Sequence, residues 1–201
     1  MLLPQAQTLL GPDVTVTTVD QYDPTKTDGT IVAQNPLAGS TPGGSVQLTV
    51  ARSAVISYLN DLNPVAGHWS QTTSIAISGK TYAHSASSQV CDYSSEEPGT
   101  VEYNLGRNYR TFKATAGISD DAANSSATVL LEVFADGRRV YSGTITYGQA
   151  FTVTADMTDV LRMKIQWQPS NCTREGSADL ALGEARIEGL PGQVPIATPT
   201  P

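Results

Sequence analysis

The sequence predicts a mainly β protein, in which a small α+β module is followed by a β-sandwich of jelly-roll type. Three observations carry this. Runs such as "ATVLLEVFADGRRVYSGTITYG" and "FTVTADMTDVLRMKIQWQ" alternate apolar and polar residues with the period of a half-buried strand. Gly, Asn, Asp and Pro punctuate these runs at short intervals, the spacing of a two-sheet fold. Past the first ten residues there is no helical heptad of useful length.

Taken in order, residues 4–10, "PQAQTLL", form a short helix with proline in its first turn and Gly11-Pro12 as its stop. "VTVTTV" then alternates as a strand, and "YDPTKTDG" is turn chemistry. "TIVAQNPLAGSTPGGSVQLTV" supplies two strands around a Pro/Gly-rich loop. Residues 1–52 hold no Cys, His or Trp, and a short linker at 53–57 leads into the β-rich region 58–190. There Asp136-Gly137 marks a hairpin turn between two apolar runs. The tail 191–201, "PGQVPIATPTP", has the composition of an extended or disordered segment.

Composition narrows the function classes. Across 201 residues, 12 Lys and Arg stand against 19 Asp and Glu, a formal charge of -7, so a phosphate backbone is repelled and nucleic acid is a poor partner. Only 15% of residues are charged while Thr, Ser, Gly, Val and Ala abound, as in extracellular β modules. The opening "MLLPQAQTLLGPD" is too short and polar to span a membrane, so a signal or anchor would lie outside this chain. An extracellular or cell-surface location is expected. Cys91 and Cys172 allow one intramolecular disulfide, which would close a loop worth roughly 4 to 5 kcal/mol at most. Two buried free thiols are the alternative.

Two resemblances follow from specific motifs. "GTIVAQNP", then "AGS", then "GSVQLTV" resembles the PASTA module, a small extracellular repeat of bacterial receptor serine/threonine kinases and some penicillin-binding proteins, with its opening strand missing. "YLNDLNP", "GKTYAHSAS", "VEYNLGRNYRTFKATAGISDD", "VLLEVFADGRRVYSG" and "ALGEARIEGL" resemble, in order, the NPCBM family, a carbohydrate-binding module with a galactose-binding-like jelly roll. Together they imply a non-catalytic, cell-surface region that recognises peptidoglycan or another cell-wall glycan. The chain departs from the NPCBM pattern in having Ser85-Ala86-Ser87 after His84, Leu180-Ala181-Leu182 in place of an aromatic, and the insertion "CDYSSEEP". A structural or protein-interaction module without a sugar site, or an accessory domain of a polysaccharide hydrolase, are the rival readings.

Catalysis finds little support in the residues. Only His68 and His84 are conventional bases, no G-x-S-x-G or S-x-x-K occurs, and strand alternation sends His84 and Ser85 to opposite faces. On an uninterrupted strand Lys80, Tyr82, His84, Ala86 and Ser88 would share one face. A glycosidase needs a carboxylate pair across a cleft, and nothing in the spacing of Glu96, Glu97, Glu102 and Glu132 selects one.

Sugar binding needs an aromatic face and hydrogen-bonding side chains. Trp69 with His68 in the loop "AGHWSQ", Trp167 flanked by Gln166 and Gln168, and Tyr82 with His84 are the candidates, followed by Tyr93 and Tyr109. Burial in the core is the ordinary alternative for both tryptophans, though a loop position favours exposure of Trp69. No cofactor is required. A structural calcium, common in jelly rolls of this type, would find hard oxygens at Asp120, Asp121 and Asn124, although a plain polar turn explains them as well.

Overall fold

The computed structural model describes residues 1–23, 25–40, 43–70, 74–92 and 95–190. The expectations for Tyr93 and for the tail 191–201 lie outside the described residues. The chain divides into two compact units, Met1–Val55 with the described residues that follow Glu188, and Ile56–Glu188.

The first unit begins with α1 (Leu3–Leu10), where Gln5 turns its side-chain oxygen back to the Leu2 N–H at 3.1 Å and so satisfies one free donor at the helix start. Three strands follow, β1 (Thr15–Tyr22), β2 (Ile31–Asn35) and β3 (Ser45–Arg52), ordered β1-β3-β2 in one sheet. β1 runs parallel to β3 and β2 antiparallel to it. Alternation on β3 sends Val46, Leu48 and Val50 to one face, where they meet Ala6 of the helix together with Leu3, Leu10 and Ile31. At the end of β3, Arg52 bridges Asp20 at 2.8 Å and Asp28 at 3.4 Å.

The second unit is a two-sheet β-sandwich. It opens with β4 (Val55–Tyr58) and a single 3-10 turn at Leu59–Asp61. β5 (Ile75–Ile77) and β6 (Lys80–Tyr82) form a hairpin of their own. β7 (Ser85–Asp92), β8 (Ser95–Glu96), β9 (Gly99–Asn104), β10 (Tyr109–Ile118), β11 (Thr128–Ala135), β12 (Arg138–Thr146), β13 (Phe151–Asp156), β14 (Arg162–Ser170) and β15 (Ala178–Gly189) complete it. One sheet runs β13-β10-β15-β7-β8 with β4 also beside β15, and the other runs β12-β11-β14-β9.

Alternation builds the core. β11 reads half-buried, buried, exposed, buried, and so Val129, Leu131 and Val133 point inward with Met163 and Ile165 of β14. Phe112, Val153, Leu180, Leu182 and Ile187 come from the other sheet, all fully buried. Each such side chain contributes roughly 1.5 to 3 kcal/mol relative to exposure. The hairpin turn at Asp136-Gly137 forms where its sequence places it, with both residues at positive φ, and the Asp136 carboxylate accepts the Arg162 N–H at 2.8 Å.

The stretch "GKTYAHSASSQVC" is two strands, not one. β6 ends at Tyr82 and β7 begins at Ser85, with a corner at Ala83-His84 between them. The shared face expected for Tyr82, His84 and Ala86 therefore does not exist. The cause lies in what the hairpin covers: Tyr82 and Ile77 pack on Ala181 of β15 outside the sheet, and small residues make the room. A Cβ on Gly183 would meet the Tyr82 ring at 2.5 Å, and one on Gly117 would collide with Ile77.

On β15, Gly183 and Glu184 are consecutive yet both lie on the outer side, one under Tyr82 and the other in a surface groove with Lys113 and Arg186. Glu184 sits at φ 49, and this left-handed residue shifts the alternation of the strand.

Candidate glycan-binding site

The disulfide predicted from the cysteine count joins Cys91, at the end of β7, to Cys172, just after β14, 81 residues apart with Cα atoms at 5.4 Å. It ties the two sheets together at one end of the sandwich. Next to it, the loop before β9 and the strand ends enclose a cleft of about 230 Å³ lined by His68, Gln89, Glu97, Thr100 and Trp167.

Local geometry explains how His68 comes to this cleft. Residues 65 and 66 lie along β9 as an extra strand segment, with Val65 N–H donating to the Glu102 carbonyl and Glu102 N–H donating to the Ala66 carbonyl, both at 2.8 Å. Gly67 then turns at φ 70 with its Cα against the Thr100 carbonyl, where any side chain would collide. His68 emerges exposed, and Trp69 turns inward.

Trp69 is thus a core residue at 8% exposure, and its expected exposure in a loop is corrected. The strap along β9 drives it inward. Its ring stacks on Trp167 with centroids 5.1 Å apart, and its Nε1–H donates to the Tyr103 hydroxyl at 2.8 Å. Burial, only partly offset by that hydrogen bond, pushes the Tyr103 phenol up to about 12. Trp167 is buried except where its edge meets the cleft, and its six-membered ring lies against Gly99.

The remaining candidates are placed elsewhere. Tyr82 is buried under the β5–β6 hairpin with the Lys80 ammonium 4.7 Å over its ring. His84, half-buried, stacks on Tyr58 at 3.8 Å between ring centroids. Tyr109 is buried. Of the five candidate sugar contacts, His68 and Trp167 therefore meet in one cleft, Trp69 supports them from behind, and Tyr82 and His84 do not line it. Gln89, Glu97 and Thr100 were missed. Gln89 is the exposed residue in an otherwise buried stretch of β7, but only the register of that strand reveals it.

Two of the scattered carboxylates are held in ion pairs: Glu102 with Arg162 at 3.0 Å and Glu132 with Arg139 at 2.7 Å. Glu96 and Glu97 are exposed, with Glu97 at the cleft.

Two of the calcium candidates, Asp120 and Asp121, line a second cleft of about 400 Å³ with Ser119 and Asp179, and Asn124 does not reach it. The Asp120 oxygens accept the Ser78 and Gly79 N–H groups at 2.7 Å each, so this residue caps the hairpin turn. Asn124 is fully buried with its Nδ2 unpartnered, a donor and no ligand for a cation, and its backbone N–H ties the turn to Ser177. Asp121 accepts the Ser119 hydroxyl, and Asp179 beside it was not among the expected ligands. Burial, then the charge of Asp121, raises the Asp179 carboxyl above the ordinary value. Among the described residues no three His, Cys, Asp or Glu side chains converge into a metal cage. The donor set fits a cation in part, through Asp121 and Asp179 with neighbouring oxygens.

A two-sheet sandwich of this form, with a polar cleft among loops at one end, is the architecture of galactose-binding-like carbohydrate-binding modules. The chain belongs to the NPCBM/NEW2 domain family, whose model matches residues 55–187. No curated protein matches it. Among solved structures it is similar to the CBM51-2, in complex with GlcNAc, and INT domains from Clostridium perfringens ZmpB, with 13% identity over 87% of this chain and 47% of that one and a TM-score of 0.56. It is also similar to the tandem CBM51 modules of Sp3GH98, the family 98 glycoside hydrolase from Streptococcus pneumoniae SP3-BS71, at 20% identity over 67% and 47% of the two chains, TM-score 0.52. A third is CBM51 from Clostridium perfringens GH95 in complex with methyl-galactose, at 16% identity over 66% of this chain and 99% of that one, TM-score 0.52. The chain spans about half the length of the first two. At these identities the likeness is one of fold. Among the described residues no helix is long and apolar enough to cross a membrane.

Proposed function

We propose that residues 56–188 form a non-catalytic glycan-binding module, with the His68–Trp167 cleft as its site. The observation that carries this is the cleft itself. An exposed imidazole, the Gln89 amide, the Glu97 carboxylate and the Thr100 hydroxyl surround the edge of an indole that the disulfide and the Trp69 stack hold in place. Such a set supplies donors and acceptors for sugar hydroxyls from a rigid frame. The methyl-galactose complex of a CBM51 of the same fold supports this ligand class.

The ligand we infer is a cell-wall glycan, peptidoglycan or another polysaccharide, met outside the cell. The support is the resemblance of residues 29–50 to a PASTA module, with the helix and three strands that precede the sandwich. That resemblance also favours the surface region of a receptor kinase or wall protein. An accessory role beside a polysaccharide hydrolase is the second reading, favoured by the CBM51 modules that belong to a glycoside hydrolase. A calcium ion held by Asp121 and Asp179 would steady the loops, as their crowded charge suggests.

A glycan array and a peptidoglycan pull-down with the full chain test the reading, with His68→Ala as the variant, since an exposed histidine can be removed without unfolding the module. Retention lost in the variant supports the cleft; retention equal to the parent sinks it.

A further inference from the structure

We propose that the outer face of β13, β10 and β15 carries a second saccharide site, shaped for a single neutral sugar ring. It extends the glycan-binding reading above to a surface away from the His68–Trp167 cleft. The face holds a groove of about 140 Å³ lined by Lys113, Thr115, Thr152, Thr154, Glu184 and Arg186. This is smaller than the His68–Trp167 cleft of about 230 Å³, which points to a single ring as the ligand.

The groove is a built polar surface. Lys113 lies opposite Thr154, and Thr115 opposite Thr152, in the β10–β13 register, so ammonium and hydroxyl groups form two cross-strand rows. Beneath them Glu188, with its side chain 6% exposed, accepts from Lys113 Nζ at 2.9 Å and from Arg186 Nε at 3.0 Å. An ammonium has three donors and a guanidinium five. Glu188 occupies one of each, and the Arg186 Nη1 also reaches the Glu184 carbonyl at 3.4 Å, which fixes both cationic heads while leaving donors for a ligand. Glu184, turned outward by its left-handed backbone, accepts the Ala83 N–H at 3.2 Å through one oxygen and presents a carboxylate to the groove.

Charge selects the ligand class. Lys113 and Arg186 are balanced by Glu184 and Glu188, and the whole chain is at -7, so an acidic sugar gains no net attraction here. No aromatic ring among the described residues lines this groove, so recognition here rests on hydrogen bonds in place of ring stacking: fixed donors beside a fixed acceptor suit neighbouring hydroxyls, each of which donates and accepts. Lys113, Arg186 and Glu184 are held by their hydrogen bonds before the ligand arrives, which lowers the entropy lost on binding.

The test is an amide-resolved NMR titration of the full chain with methyl-galactose, N-acetylglucosamine and glucuronate, repeated with Thr154→Val. Thr154 is exposed, and valine keeps its shape. Neutral sugars should shift the amides of Thr115, Thr152, Thr154 and Arg186. The variant should weaken that titration about three- to tenfold, the loss of one hydrogen bond, without altering the titration read at His68 and Thr100. The proposal is overturned if the sheet-face amides stay still while the cleft saturates, if the variant titrates like the parent, or if glucuronate binds the face more tightly than the neutral sugars. Movement on the sheet face alone would uphold the second site and remove the first. No movement at either would remove both.

Discussion

Trp69 and Trp167 stack with ring centroids 5.1 Å apart and planes inclined by 19°, and the outer partner reaches the cleft only by its edge. The pair joins core to cleft, since the ring that borders the cleft is held by a ring that does not reach it.

The hydrogen bond from Trp69 to Tyr103 fills a need on both sides of a buried contact. Tyr103→Phe leaves the indole N–H without its acceptor and should cost about 1 to 3 kcal/mol. Trp69→Ala should cost about 3 to 5 kcal/mol. Urea unfolding measures both. Glycan retention by Tyr103→Phe at a temperature where it remains folded should match the parent; a folded variant that loses retention would make Tyr103 part of the site.

The hairpin over the sheet depends on two absent side chains. Gly183→Ala places a Cβ against the Tyr82 ring and should destabilise the module by about 1 to 3 kcal/mol. Amide exchange should rise first in β5 and β6, and an unchanged exchange pattern would show that Tyr82 has room to move.

Reducing the Cys91–Cys172 bridge frees a loop of 81 residues in the unfolded chain, an effect of about 4 to 5 kcal/mol at most. Thermal unfolding with and without reductant should show a clear fall in Tm. Cys91→Ser with Cys172→Ser should reproduce it, and matching melting curves would remove the bridge's role.

Asp179 gives a dependence on pH with a definite sign. Its carboxyl titrates above its ordinary value of 3.8 in the folded chain, so the stability linked to it is complete at acid pH and is lost as pH rises through the raised value. In the presence of a chelator, Asp179→Asn should melt higher than the parent at neutral pH, and the gap should close below the ordinary carboxylate value. A gap that widens on acidification would contradict this. Added calcium should reverse the neutral-pH order if Asp121 and Asp179 hold the ion.

Strand alternation made β11, β12, β13 and β14 readable from the chain, and Asp136-Gly137 gave the hairpin between the first two. The cysteine pair was equally legible, because two cysteines leave one pairing within the chain. The corner at Ala83-His84 was not. It arises because Gly117 and Gly183, distant in sequence, open a place for Ile77 and Tyr82. Trp69 was misread for a related reason: its loop composition is real, but backbone pairing of Val65 and Ala66 with Glu102 turns the next residues over. Gln89 and Asp179 escaped notice because only register shows which residues of a strand face a cleft.

The left-handed residue at Glu184 is an extra position in β15, inserted on its outer side without disturbing the residues that face the core. Deleting that single position would restore plain alternation, with Ala185 and Ile187 still inward and Arg186 and Glu188 still outward, and would remove the Glu184 carboxylate from the groove. Loss of this position therefore spares the core and is felt on the outer face alone. A relative that lacks the offset should align with a one-residue gap at this point, and its groove would lack the fixed acceptor that Glu184 supplies.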